Sequence, residues 1–117
     1  MVSLRQSGES IAAAYLESLG WTIMAQNWRC PLGEIDLIAH DPLEDATVVV
    51  EVKTRSGLGF GSPVEAVDSR KITKLRQLMG QLLATESPRC SDIRIDVIGI
   101  LRRRGYAPEI DHRRGIS

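Results

Sequence analysis

Asp36, Glu51 and Lys53 are the residues of this chain whose types and spacing could do chemistry. They interrupt two apolar, strand-like runs, Gly33-Glu34-Ile35-Asp36-Leu37-Ile38 and Val48-Val49-Val50-Glu51-Val52-Lys53. A strand driven into a core does not normally carry ionised groups, because a buried unpaired charge costs several kcal/mol. Three such groups within eighteen residues make physical sense if the carboxylates jointly hold a divalent cation. Hard oxygen ligands suit Mg²⁺, which keeps several waters in octahedral geometry, and Mn²⁺ accepts the same donors. A cation held there lowers the pKa of one water and neutralises charge developing on a phosphoryl oxygen. A lysine beside it adds electrostatic stabilisation. The chemistry implied is metal-dependent phosphodiester hydrolysis.

The elements must then place these groups together. A run dense in β-branched residues extends from Thr47 to Thr54, and Glu34 to Ala39 reads as its partner strand. His40 to Asp45 carries the turn signals Pro42 and Asp45. A hairpin symmetric about the Leu43–Glu44 bond sets Asp36 opposite Glu51, with Cβ atoms roughly 5 Å apart. The period of two puts Lys53 on the face of Glu51, and Val50 and Val52 on the other. A one-residue bulge would spoil this register. The rival explanation is a solvated sheet face, with Glu51 and Lys53 an exposed ion pair contributing under about 1 kcal/mol.

The rest of the chain completes the order αβββαβ, an α/β pattern. Ser7 to Leu19 reads as a helix with an apolar stripe of Ile11, Ala14, Tyr15 and Leu19, stopped at Gly20. Trp21 to Gln26 reads as a strand. After strand three, Gly57, Gly59 and Gly61 make a loop around Phe60, and Ser62-Pro63-Val64-Glu65 has capping-box spacing. The helical pattern that follows uses Val67, Leu75, Leu78, Met79 and Leu82, although Asp68 could cap a separate helix. Ile93 to Leu101 is a long apolar strand, and residues 102–117 read as a polar tail.

One domain of 117 residues can bury a single core, and 43% hydrophobic content is ordinary for a folded globule. No stretch approaches the roughly 18 apolar residues of a membrane span, and the N-terminal segment lacks a signal-peptide pattern. Cys30 and Cys90 have no zinc-ligand spacing, so reduced thiols and a cytoplasmic setting are expected. The 15 basic and 15 acidic side chains balance, which counts mildly against a nucleic-acid binder. Positive charge is nevertheless local, at Arg70, Lys71, Lys74 and Arg76 and at Arg102-Arg103-Arg104. Either cluster could equally be a solvated surface.

The ordered set of motifs resembles the PD-(D/E)xK superfamily, whose fold is restriction-endonuclease-like, with a central mixed sheet flanked by helices. It is more closely similar to the bacterial YraN-like family of predicted nucleases, itself similar to archaeal Holliday-junction resolvases. The matching stretches are Gly8-Glu9 with Ala12 and Tyr15-Leu16, Gly33 to Ile38, Val50 to Arg55, Phe60 to Pro63, and Glu65-Ala66-Val67, continued by Lys71, Lys74 and Leu75. The resemblance implies Asp36 and Glu51 as ligands for Mg²⁺ (or Mn²⁺), with the Val52 carbonyl as a third. It implies Lys53 as the group orienting the attacking water, and Glu9 as an additional acid of the site. Ile35 stands where the superfamily motif has proline, which removes no ligand. The implied partner is DNA, bound by a homodimer like that of the resolvases, and the local positive charge gives Arg70, Lys71 and Lys74, with Arg55, as the expected phosphate contacts. The alternative function is a DNA-binding or recombination accessory module that keeps the fold without turnover.

The remaining candidates have plainer explanations. Glu9 could serve only the helix dipole, and Glu34 reads as a strand-edge residue. His40 and His112 lack metal or nuclease spacing and are expected at the surface. Trp21, Trp28 and Tyr15 read as core. Asp96, between Ile95 and Val97, could support the site from behind.

Overall fold

The computed structural model describes residues 7–56, 67–86 and 92–116. Helix α1 spans Gly8–Ser18, followed by β1 (Thr22–Cys30), β2 (Gly33–Asp41) and β3 (Ala46–Arg55). Helix α2 (Ser69–Glu86) then leads to β4 (Asp92–Leu101) and β5 (Glu109–Arg113). The five strands form one sheet in chain order. Only the β3–β4 pair is parallel. A parallel neighbour needs a crossover, and α2 supplies it. The result is the expected α/β architecture, with a mixed sheet compatible with a restriction-endonuclease-like core.

Local chemistry fixes the helix starts. The Ser7 hydroxyl accepts the Ser10 backbone N–H at 3.1 Å, which makes Ser7 the N-cap of α1. The Asp68 carboxylate accepts the Lys71 backbone N–H at 3.1 Å, so α2 begins at its own cap. The capping-box stretch 62–65 and the glycine loop around Phe60 lie outside the described residues, as does Cys90; Cys30 is a free thiol.

Each sheet face has its own core. Leu16 of α1 packs with Leu37, Val48, Val50, Ile98 and Ile100, whereas Leu75, Leu78 and Leu82 of α2 pack with Ile35, Val49 and Ile95. Val48, Val49 and Val50 are fully buried because β3 is covered on both sides. Trp21 is buried, and Tyr15 and Trp28 pack against the two cores, as their apolar surfaces require.

The C-terminal segment is more than a polar tail. Residues 109–113 pair with β4, placing His112 beside Ile98 and Ile110 beside Ile100. The His112 side chain is only 5% exposed, against the expectation of a surface residue. Its Nε2 lies 2.8 Å from Asp96, and its Nδ1 lies 3.0 Å from the Tyr15 hydroxyl. Asp96 also accepts Arg94 at 2.8 and 3.1 Å and the Gly115 N–H at 3.0 Å. Arg94 in turn pairs with Asp41 and Glu44. Asp96 therefore faces α1 and the C-terminal segment, and its bonds hold β5 in place instead of supporting Asp36 and Glu51. No described helix is long and apolar enough to cross a membrane.

Candidate functional site

The hairpin register is the one that the turn residues imply: Asp41 faces Ala46, and the ladder continues to Leu37↔Val50. It stops there. One residue further, the Asp36 carboxylate accepts the Val52 backbone N–H at 2.8 Å, so a side chain takes over from the backbone ladder. The distortion extends into β1. Asn27 lies across from Asp36, between the Gln26↔Leu37 and Trp28↔Ile35 pairs, and adopts a φ of 52°. Ile35 and Ile38 consequently pack on the α2 side while Leu37 packs on the α1 side. Asp36 thus sits where β2 rolls over and parts from β3.

Glu51 lies two residues beyond Val49 on the α2 face and is 4% exposed. The Asp36 and Glu51 carboxyl groups lie close enough to act on each other's charge. Burial, and then the Asp36 charge, push Glu51 up to about 7, against the pull of Lys71 and Lys53. Burial also raises Asp36; the Val52 N–H opposes this, Glu9 adds to it, and Lys71 opposes it. Near neutral pH the pair therefore tends to retain a proton, the behaviour of two acids too close to ionise independently.

Two lysines face this pair. Lys53, half-buried, lies two residues beyond Glu51 on the same strand and face. Lys71, in the first turn of α2, places Nζ 3.4 Å from Glu51 Oε1. Glu9 lies in the first turn of α1 and reaches Asp36 through its charge. Arg55 continues the Glu51–Lys53 row into solvent, beside a 440 Å³ depression lined by Thr54, Arg55, Ser56 and Arg102. Another depression, near Glu44, Ala46 and Arg94, lies at the opposite end of β3. Arg70 and Lys74 are exposed on α2. The Lys74 stem crosses Gly33, where an added Cβ would meet Cε at 3.3 Å and φ is 150°, so glycine lets β2 start beneath the helix.

Lys71, expected among the phosphate contacts, has a partner in Glu51 that its sequence spacing does not name. Had Asp68 been taken as the cap, the stripe Lys71, Leu75, Leu78 and Leu82 would have turned Lys71 inward. Among the described residues, no three His, Cys, Asp or Glu side chains gather into a metal-holding group. The donor set is the two carboxylates, with Asp36 bound to the Val52 backbone through its N–H. Mg²⁺ is commonly held by only one or two carboxylates together with substrate phosphate, so these donors fit it. Burial is the main reason that both carboxyl groups hold their protons more tightly than usual.

The chain matches the family described as "Uncharacterised protein family UPF0102" over residues 8–100. It belongs to the UPF0102 family. A UPF0102 protein of Mycobacterium sp. (strain JLS) is 46% identical over 110 residues, covering 94% of this chain and 82% of that relative. Another, from Beutenbergia cavernae, is 45% identical over 110 residues, covering 94% and 92%. The UPF0102 protein of Mycobacterium bovis (strain BCG / Pasteur 1173P2) is 45% identical over 119 residues, covering 99% and 93%. The UPF0102 match contains Asp36, Glu51, Lys53 and Lys71, so the whole site lies in the part of the chain that defines the family.

Proposed function

We propose that this chain is a Mg²⁺-dependent DNA endonuclease acting on branched or recombination intermediates in the cytoplasm, as a two-fold dimer. The observation that carries this reading is an acid pair on the sheet: half-buried Asp36, held by the Val52 N–H where β2 parts from β3, and buried Glu51, whose pKa burial and the Asp36 charge raise to about 7. Asp36, Glu51 and the Val52 carbonyl would hold the cation. When bound, it supplies Lewis-acid activation of water and neutralises charge on the phosphoryl group. Mn²⁺ would serve the same donors.

The chain's own residues have separate tasks. The Val52 N–H fixes the Asp36 carboxylate, and burial against α2 fixes Glu51. Lys53 orients the attacking water, assists its deprotonation and stabilises charge on the phosphoryl oxygens. Glu9 adds negative potential from α1. Arg55, Arg70 and Lys74 are exposed and meet neighbouring phosphates without reading bases.

A second reading, an accessory module that binds DNA without cleaving it, is favoured by one observation: the chain's own Lys71 ammonium, 3.4 Å from Glu51 Oε1, offers the acid pair a counter-charge. A cleavage screen over linear, flap, single-stranded and four-way DNA with Mg²⁺ or Mn²⁺ separates the two. Cleavage by wild type that is lost in Asp36→Asn supports the nuclease. Equal traces of cleavage in both, with binding retained in EDTA, support the accessory module.

A further inference from the structure

Lys71 stands apart from the other basic residues of α2. The Asp68 cap and the buried neighbours Ile72 and Leu75 fix its place in the first turn. Its side chain is 37% exposed, whereas its partner Glu51 is 5% exposed. One end of the ammonium's range therefore lies in the site and the other in solvent. Among the described residues, the ion pair made by Lys71 is the one that reaches Glu51; the strand lysine, Lys53, acts on Glu51 through its charge.

A divalent cation held by the same carboxylates would meet an ammonium already 3.4 Å from Glu51 Oε1. The two like charges would repel each other across the shared carboxylate, and Lys71, 37% exposed, has solvent to move into. We propose that Lys71 is a built-in counter-ion, exchanged for the metal, and that the released ammonium then contacts a nucleic-acid phosphate. The exchange rests on the reading of Asp36 and Glu51 as metal ligands. It couples the two ligands: metal uptake creates a phosphate contact, and phosphate binding to Lys71 favours metal uptake in equal measure. Arg70 and Lys74, already turned to solvent on the same helix, receive the swung-out side chain among them.

The test uses Lys71→Met, which keeps the aliphatic stem and removes the charge. Calorimetric titration with Mn²⁺ and with Ca²⁺, without DNA, should show affinity rising on the order of tenfold once the competing ammonium is gone. Lys71→Arg, which keeps the charge, should return towards wild type. Binding of a fluorescent DNA is then followed against salt in EDTA and in Ca²⁺. In Ca²⁺ the variant's salt slope should be lower than wild type by about 0.9, the share of one phosphate contact, and in EDTA it should be unchanged. Lys74→Met should lower the slope equally in both conditions.

Unchanged metal affinity in Lys71→Met would overturn the exchange and leave the metal site standing. An equal loss of slope in EDTA and Ca²⁺ would make Lys71 an ordinary phosphate contact and also overturn it. No metal uptake by wild type or by the variant would remove the metal site itself, and the exchange with it. Metal uptake without DNA binding in either condition would sink the nucleic-acid reading, with calorimetry still deciding whether Lys71 competes.

Discussion

The Val52 backbone N–H donates to the Asp36 carboxylate at 2.8 Å, in place of the next rung of the β2–β3 ladder. One bond therefore holds a candidate metal ligand and finishes the hairpin. Asp36→Asn should separate these jobs, since its amide oxygen still accepts Val52. We expect thermal stability close to wild type, with metal affinity and cleavage lost. Asp36→Ala leaves a half-buried N–H unsatisfied and should cost about 1–3 kcal/mol in denaturant unfolding. Equal stabilities for the two variants would show that the bond contributes little.

Glu51 gives a pH dependence with a definite sign. Its folded pKa, about 7, lies above the ordinary 4.5, so folding favours the protonated form. This contribution is complete below pH 4.5 and is lost as pH rises through about 7. In EDTA, wild type should therefore lose up to about 3 kcal/mol relative to Glu51→Gln between these limits. Thermal melts of both proteins across that range check it, and parallel curves would contradict it. Divalent cation should flatten the difference.

Asp96 works in the opposite direction. Burial would raise its pKa, but hydrogen bonds from His112 and Arg94, and from the Gly115 N–H, outweigh burial and hold it below 3.8. Its contribution is present above that value and lost as pH falls through the folded pKa. Asp96→Asn should cost about 3 kcal/mol, the scale of breaking a buried ion pair, and release β5. Hydrogen exchange at Ile110 and His112 reports that release directly. Slow exchange retained in the variant would show that β5 is held by its ladder alone.

Lys53→Ala should leave metal uptake in place, because lysine is no ligand for Mg²⁺. Cleavage should fall on the order of a hundredfold, as for loss of one preorganised electrostatic group, while DNA binding in Ca²⁺ changes little. A parallel loss of binding would make Lys53 a ground-state phosphate contact. Preparations free of host nuclease are essential, since contamination would mimic activity in every variant.

The site was partly legible because its main contact is local. Pro42 and Asp45 mark the turn, and the β-branched run from Thr47 marks the strand, so the register followed without tertiary information. What symmetry could not show was the early end of the ladder, because nothing in the one-letter code says that Asp36 would replace a backbone acceptor. Lys71 was obscured by two competing helix starts, 62–65 and Asp68. Strand β5 was missed because Glu109–Arg113 is mostly polar and becomes a strand only beside β4. Asp96 was misplaced because alternation separates it from Ile95 but cannot say which helix covers which face.

The turn from Pro42 to Asp45 also sets an order in time. A hairpin with so short a loop can close in roughly 1–10 μs, while Lys71 arrives only when α2 crosses to deliver β4. For that interval the nascent sheet carries two neighbouring acids with Lys53 alone, and not Lys71, to offset them. Refolding should accordingly run faster at mildly acidic pH or with divalent cation than at alkaline pH in EDTA. The charge that makes the finished protein receptive to metal is then, earlier, an obstacle on its folding path.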